Sequence, residues 1–577
     1  MLKSLFKKRS LRDTSSAVDE NARLKALTAE ADSLAQSGDA AGARARYEDV
    51  LRADPGDLYA TYQLATLLHE QGALDAARQV CDDGLARAPE QLGLRFRRAT
   101  ISKAGGDYYG ALNDLLRIRE ADPAFPDIDT LLGDIYYFLG RGPEAVAAFD
   151  RAIARNPDAT SIQSDRLFLL NFFKLQDRAA LFEEHRKWGA LHEARLRPLR
   201  RPWDNDRDPD RRLRVGYVSA DLRQHAVAFF IEGVLREHDR NDLEVHCFDV
   251  SPFPEDHVTV RLRQYVDAWH RVGALDDDAI AALIRSERID VLVDLSGHTA
   301  HNRLLVFARK PAPVQVSWFG YMNTTGLTAM DYRITDGYLD PPGEADSFYT
   351  ETLVRMAGMA CFTPAPESPP ISPLPALTAG VFTFASVNQW TKVTGEVKDV
   401  WAAILRESPG FRLLIVAKGA ENPRLRDEIV REFVDRGATA AQIAVFSTRP
   451  LGDFLRLYEQ IDVVLDPFPY GGGTTSLHTV WMGVPIVTLE GESELSRACA
   501  GIVRVLELHD FVAASAEEYR RIAVGFGNAP AAVAAIRQSL RERMGRSTLT
   551  DASAVARNLA SNYRSIWHKY CAGEKIA

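Results

Sequence analysis

The segment Leu465-Asp-Pro-Phe-Pro-Tyr-Gly-Gly-Gly-Thr-Thr-Ser-Leu-His-Thr-Val-Trp-Met-Gly-Val-Pro485 holds the residues best suited to chemistry. Its order predicts a strand ending at Asp466, a glycine turn, and an apolar helix opened by Thr474 and Thr475. Glycines let backbone N–H groups approach an anion closely, and a helix N-terminus favours negative charge. With two hydroxyl donors added, Gly472, Gly473, Thr474 and Thr475 are candidate phosphate ligands. No Gly-Lys-Ser/Thr follows, so this is not a Walker loop; the plainer alternative is a flexible turn with a helix cap. Asn388-Gln-Trp-Thr-Lys392 follows another predicted strand. An ammonium placed there can neutralise the charge that develops on a departing diphosphate, the alternative being a solvated lysine at a helix start. His225 and His298 each lie just past a predicted strand, where a neutral imidazole can orient or deprotonate an acceptor. A loop histidine is also commonly structural. Gly320-Tyr-Met-Asn-Thr-Thr-Gly326 is a glycine-bounded loop whose Asn323, Thr324 and Thr325 are candidates for substrate contact. No metal site is expected. The carboxylates Asp204, Asp206, Asp208 and Asp210 fall in a linker, no His/Cys/carboxylate group has ligand spacing, and no Gly-x-Ser-x-Gly elbow occurs.

Elements that could position these residues alternate from Leu213 onward. Strands are predicted at 213–219, 243–250, 289–295 and 314–318, then, after a proline-rich passage at 363–375, at 381–385, 411–417, 443–446, 463–465 and 485–489. Continuous apolar strands separated by helical segments imply parallel sheets covered on both faces. Two series imply two doubly wound domains, 213–375 and 376–577, the second with a closing helix. Ligands of such folds bind beyond the C-terminal strand ends.

Ahead of them the chain repeats. Pro55, Pro89, Pro123 and Pro157 are 34 residues apart, and so are Ala31, Ala65, Ala99 and Gly133, then Gly38, Gly72, Gly106 and Gly140, then Ala43, Ala77, Ala111 and Ala145. Each unit reads helix, glycine turn, helix, proline break, with Tyr47, Leu115 and Phe149 filling the space between neighbours. This period is similar to that of the tetratricopeptide repeat, predicting an α-solenoid over 21–157 whose concave face suits a peptide or protein partner; the alternative is a homo-oligomer contact or a purely structural extension. Residues 158–194 are expected to be helices capping the solenoid, 195–212 a charged linker, and 1–20 a basic tail.

Composition narrows the function classes. Of 577 residues, 46% are apolar and 26% charged, which excludes a mainly disordered chain. The net charge of −9 gives no reason to expect nucleic acid. No apolar run reaches membrane-spanning length, the basic start lacks the apolar core of a secretory signal, and the five cysteines are dispersed. A reduced, cytoplasmic protein is the simplest expectation.

Together the repeats and the segments Arg214-Val-Gly-Tyr-Val-Ser-Ala-Asp221, Pro311-Ala-Pro-Val-Gln-Val-Ser-Trp318, Gly320–Gly326, Asp331-Tyr-Arg-Ile-Thr-Asp336 and the glycine–threonine passage resemble the O-linked N-acetylglucosamine transferase family. Ser-Gly-His-Thr at 296–299 and Asn-Thr-Thr-Gly at 323–326 are closer to its SPINDLY branch. The resemblance implies a GT-B fold and metal-independent, inverting transfer of a sugar from a nucleotide donor, itself a co-substrate, to Ser or Thr of a protein selected by the repeats, with no cofactor. It matches Lys392 to a lysine on the donor diphosphate, Gln389 to a donor contact, Thr474 and Thr475 to phosphate-binding threonines, and His225 to an active-site histidine. Whether that imidazole or the donor phosphate takes the acceptor proton stays open. The chain departs from the family pattern at Gly473, where many relatives have histidine, at His478, where an acidic residue usually holds the ribose, and at Arg285, which aligns with a second active-site histidine of animal members. UDP-N-acetylglucosamine is the default donor. GDP-fucose is an alternative, as is a CMP-linked acidic sugar transferred to flagellin, for which a basic His478 would be suited. An inactive repeat scaffold is the non-enzymatic alternative.

Overall fold

The computed structural model describes residues 15–173, 177–358 and 361–574. They form two compact units, one reaching Arg155 and including Lys418–Arg426, the other holding Asn156–Ala417 and the chain from Asp427 onward.

In the first unit eight helices follow one another: α1 (Ser15–Gln36), α2 (Ala40–Ala53), α3 (Leu58–Glu70), α4 (Leu74–Arg87), α5 (Leu92–Ala104), α6 (Tyr108–Ala121), α7 (Ile128–Phe138) and α8 (Gly142–Arg155). Gly38, Gly72, Gly106 and Gly140 all take φ between 70° and 86°, the left-handed turn that ends the first helix of each pair and that other residues adopt only with strain. Asp39 and Asp107 then accept N–H bonds from Gly42 and Gly110, capping α2 and α6. The repeated alanines, Ala31, Ala65 and Ala99 with Ala43, Ala77, Ala111 and Ala145, are fully buried. At Gly133 an added Cβ would meet the Phe149 ring at 2.7 Å, so the missing side chain sets how closely α7 and α8 pack. Residues 1–14 of the expected tail lie outside the described residues, whereas Ser15 already starts α1.

The second unit opens with α9 (Thr160–Leu170) and α10 (Arg178–Leu196). This pair was expected to cap the solenoid, but it belongs to the unit of the two sheets. Its buried polar groups explain why: Asn171 and His185 bond the Tyr321 hydroxyl, and Glu193 accepts from Thr328 and Ala329. The expected linker is likewise pinned, through Trp203 to the Lys310 carbonyl and through Asn205 and Arg211 to the buried Asp290. Its alternating aspartates are used up in local turns, Asp206 and Asp208 accepting the N–H groups of Asp208 and Asp210.

Two all-parallel sheets follow. The first contains β1 (Leu213–Ser219), β2 (Leu243–Asp249), β3 (Ala268–Arg271), β4 (Val291–Asp294), β5 (Val314–Trp318), β6 (Tyr332–Asp336) and β7 (Thr352–Met356), in the order 3-2-1-4-5-6-7. The second contains β8 (Phe382–Ser386), β9 (Phe411–Val416), β10 (Ile443–Phe446), β11 (Val463–Leu465), β12 (Ile486–Leu489) and β13 (Val512–Ala513), in the order 10-9-8-11-12-13. In each, the strand order reverses beside the first strand, the switch point where doubly wound sheets bind ligands. This is the expected pairing of a helical repeat region with a two-lobed GT-B architecture. The closing helix Ala552–Cys571 was assigned to the second lobe; instead Leu559, Tyr563, Ile566 and Trp567 complete the core of the first, where Tyr563 meets Tyr217 hydroxyl to hydroxyl at 3.3 Å. One apolar face of this helix packs there against the helix Ala228–Glu237 and β5. A buried ion pair, Arg333 Nη2 to Glu494 Oε2 at 2.5 Å, joins the lobes.

Candidate active site

The glycine turn hangs from the end of β11. Asp466, buried, accepts the Gly472 N–H at 2.7 Å and the Thr488 hydroxyl at 2.9 Å, and Asn388 donates to it at 3.3 Å. One carboxylate therefore fixes the turn to β12 and to the end of β8. A Cβ on Gly472 would lie 2.2 Å from Ser476 Oγ, and one on Gly471 2.6 Å from Asp466 Oδ2, so both positions need glycine. Gly473 is different, since nothing lies within 4 Å of where its Cβ would be.

The helix Thr474–Trp481 begins at the first threonine as expected, and Gly473 offers no side chain to cap it. Its first N–H groups thus need an external acceptor, and the partly exposed Thr474 and Thr475 add hydroxyls beside them. Lys392, in a short turn Trp390–Lys392 after β8, reaches the same place: its Nζ donates to the Gly471 carbonyl at 2.9 Å and lies 3.7 Å above the Tyr470 ring. Burial lowers its pKa to about 8, with Asp466 opposing the shift. Gln389 sits exposed at the same strand end. A cavity of about 550 Å3 between the lobes, lined by Phe230, Phe319, Met356 and Phe362 on one side and Gly473, Thr474 and Leu477 on the other, opens beside this turn.

His225 lies in the loop after β1 with its side chain 41% exposed. Its Nδ1 accepts the Val227 N–H at 3.3 Å, with Asp221 Oδ1 at 3.6 Å. The surrounding protein lowers the imidazole pKa, and Asp221 partly offsets this.

Several expected site residues are structural. His298 is completely buried, bonded to Ser164 Oγ and the Thr325 carbonyl at 3.0 Å each, with Trp188 edge-on at 4.5 Å. Thr324 and Thr325 are equally buried: their hydroxyls donate to Glu351 at 2.6 and 2.5 Å, and Asn323 donates to Asn171 at 2.9 Å. The Asn323, Thr324 and Thr325 side chains are thus taken up by the protein, while Met322 of the same loop lines the cavity between the lobes. Arg285 ends the helix Asp277–Ser286 and donates to the carbonyls of Arg201, Pro202 and Lys310, tying down the strap before β1. His478 points out of the phosphate seat into an aromatic slot, edge-on to Phe229 at 4.7 Å and Phe362 at 4.9 Å. Burial drops its pKa to about 4, so it is a neutral ring and supplies no charge for an anionic sugar. Asp466, Asn388 and Tyr470 hold the turn and were not singled out from sequence; the strand-end position of Asp466 before three glycines was the available signal. His246, His270 and Glu287, which have no ligand spacing in the sequence, converge in the structure.

Comparison with known proteins agrees with this geometry. The family model for glycosyl transferase family 41 matches residues 189–362 and 375–559, and tetratricopeptide repeat models match 34–95 and 96–160. The probable UDP-N-acetylglucosamine–peptide N-acetylglucosaminyltransferases SPINDLY of Arabidopsis thaliana and Petunia hybrida are 38% and 36% identical over 434 and 425 residues, 73% of this chain in each case. The chain spans a little under half of those relatives, 46% and 45% of their lengths. A mutant O-GlcNAc transferase from Thermobaculum terrenum superposes with a TM-score of 0.81 at 32% identity, covering 97% of this chain and 100% of that one. With most of both parallel-sheet lobes matched, the chain belongs to glycosyl transferase family 41.

Proposed function

We propose that this chain is a protein O-glycosyltransferase that transfers a sugar from a nucleotide donor, UDP-N-acetylglucosamine by default, to Ser or Thr of a protein presented by the repeats. The observation that carries this reading is the uncapped helix start at Thr474 with the Lys392 ammonium against the same turn. A Ser or Thr Oγ attacks the anomeric carbon, the bond from that carbon to the diphosphate oxygen breaks, and the nucleoside diphosphate leaves with the electron pair. Turn N–H groups, the two threonine hydroxyls and Lys392 take up the charge that grows on it. No step calls for a metal.

His225 then acts as a donor. With Nδ1 accepting the Val227 N–H, the neutral ring carries its proton on Nε2. That edge can hold an oxygen of the donor or acceptor, while the acceptor proton passes to a donor phosphate oxygen. Replacement by Gln should therefore keep more activity than replacement by Ala; equal loss in both would argue for a base at Nε2.

Support for the default donor comes from the names of the SPINDLY relatives. The neutral His478 removes the reason for preferring a CMP-linked acidic sugar. The decisive experiment incubates the chain with UDP-N-acetylglucosamine, GDP-fucose or a CMP-sugar and a Ser/Thr-rich acceptor, flagellin included, and follows transfer by intact-protein mass. Only UDP-N-acetylglucosamine should add mass and raise the melting temperature. Transfer from GDP-fucose alone would change the donor assignment, and nucleotide binding without transfer to any acceptor would leave a scaffold. We assign the reaction to the cytoplasm; the five unpaired cysteines, four of them buried, suit a reducing compartment. No helix among the described residues is long and apolar enough to cross a membrane.

A further inference from the structure

Side chains alternate along β2. Leu243, Val245 and Cys247 enter the core of the first lobe, which leaves Glu244, His246 and Phe248 on the opposite face. His270, on the four-residue edge strand β3, lies in register with Phe248 and stacks on it at 4.7 Å. Glu287 caps the C-terminal end of the helix Asp277–Ser286 and brings a carboxylate to the same place. His246 Nδ1 is 3.2 Å from His270 Nε2 and 3.9 Å from Glu287 Oε2, and one ligand atom from each of the three residues lies within 4.8 Å of the others.

We propose that His246, His270 and Glu287 bind a divalent transition-metal ion, zinc by its ligand set, on the outer edge of the first sheet. Zinc bonds to nitrogen or oxygen of about 2.0–2.2 Å place tetrahedral ligand atoms about 3.3–3.6 Å apart, against the 3.2 and 3.9 Å that separate His246 Nδ1 from the other two ligands. The second nitrogen of the central histidine is already engaged: His246 Nε2 meets Glu244 Oε1 at 3.0 Å. A carboxylate on the far nitrogen holds the proton there and turns the Nδ1 lone pair toward the other two ligands, the outer arrangement common to metal-bound histidines. Arg212 and Arg214 pair with Glu244, not with the Glu287 carboxylate, and Arg214 also holds the Glu287 carbonyl at 3.1 Å, which fixes the third ligand's backbone. His246 is buried, whereas His270 and Glu287 are partly exposed, so an ion can enter and water can take the fourth position. Two imidazoles and one carboxylate suit zinc and disfavour magnesium, which prefers oxygen donors. The ion would clip a short edge strand to its neighbour and to a helix end. Its effect should fall on stability, since Lys392 and the glycine turn stand on the other sheet's strand ends.

The test strips the full chain with a chelator and titrates it with zinc chloride by calorimetry, with cobalt chloride as an optical probe. The expected result is one tight zinc site per chain, a tetrahedral cobalt absorption band, a rise in melting temperature with zinc, and no response to magnesium. His270→Gln and Glu287→Gln, both at partly exposed positions, should each remove the cobalt band while leaving the circular dichroism unchanged. Glu244→Gln should weaken zinc about 10–100-fold. Absence of a zinc endpoint in the unmutated chain, or zinc affinity in the two ligand variants equal to that of the unmutated chain, would overturn the proposal and leave a simple imidazole–imidazole hydrogen bond. An equal response to magnesium would overturn it as well.

Discussion

Two Thr–Thr pairs beside glycines, one on each lobe, look interchangeable in sequence and differ completely in the structure. Thr324 and Thr325 spend their hydroxyls, and Thr325 its N–H, on the buried Glu351. Thr474 and Thr475 begin an uncapped helix, partly exposed, with a lysine beside them. The histidines divide in the same way. Both nitrogens of His298 are bonded inside the protein, whereas His225 keeps one edge on the solvent side. Residue type and a strand-end position nominate a site residue. What decides it is whether hydrogen-bonding capacity is left over once the fold has taken its share.

That contrast can be broken experimentally. The largest effect is expected for Lys392→Ala, which should cut turnover about 100–1,000-fold with the fold intact by circular dichroism, the range for losing one preorganised charge donor. Because Lys392 titrates near 8 in the free protein and acts as the cation, kcat/KM should fall as pH rises through about 8, and Lys392→Arg should erase that limb. A bound diphosphate favours the ammonium, so the limb in kcat should lie at higher pH. The folded chain also releases this proton more readily than the unfolded one, so its contribution to stability rises from about pH 8 toward the ordinary lysine value. Next is Glu351→Ala, which strands the donors of Thr324 and Thr325; urea unfolding should show a loss of about 2–3 kcal/mol. Thr474→Val should leave unfolding unchanged and weaken nucleotide-sugar binding about tenfold by calorimetry, the value of one hydrogen bond to a charged group. The smallest effect belongs to Gly473→Ala, which has open space and should change melting by less than about 0.5 kcal/mol, whereas Gly472→Ala should disrupt the turn.

Much of this was legible in the sequence because local physics dominated there. The 34-residue period set the helix pairs and their left-handed glycines, and the long β-branched runs marked nine of the strands. The remaining four, β3, β6, β7 and β13, are short or polar: Ala-Trp-His-Arg and Tyr-Arg-Ile-Thr-Asp carry no apolar run, and only neighbouring strands make them extended. The glycine turn and Lys392 were readable because strand, glycines, hydroxyls and helix are consecutive. His298, Asn323, Thr324, Thr325 and His478 were misplaced because their partners, such as Ser164, Glu351 and Phe229, are distant in sequence. The convergence of His246, His270 and Glu287 was hidden for the same reason, being made by strand register. The closing helix was assigned to the second lobe because an amphipathic pattern reports that a face is buried, not against what.

The return of the helix Ala552–Cys571 to the first lobe has a consequence for biosynthesis. As the polypeptide leaves the ribosome, the repeats can fold at once, but the first sheet must wait for the helix Ala552–Cys571 before Tyr217 and Trp318 are covered. Through that interval it exposes an oily surface, and a stalled or shortened translation product would be a natural client for chaperones.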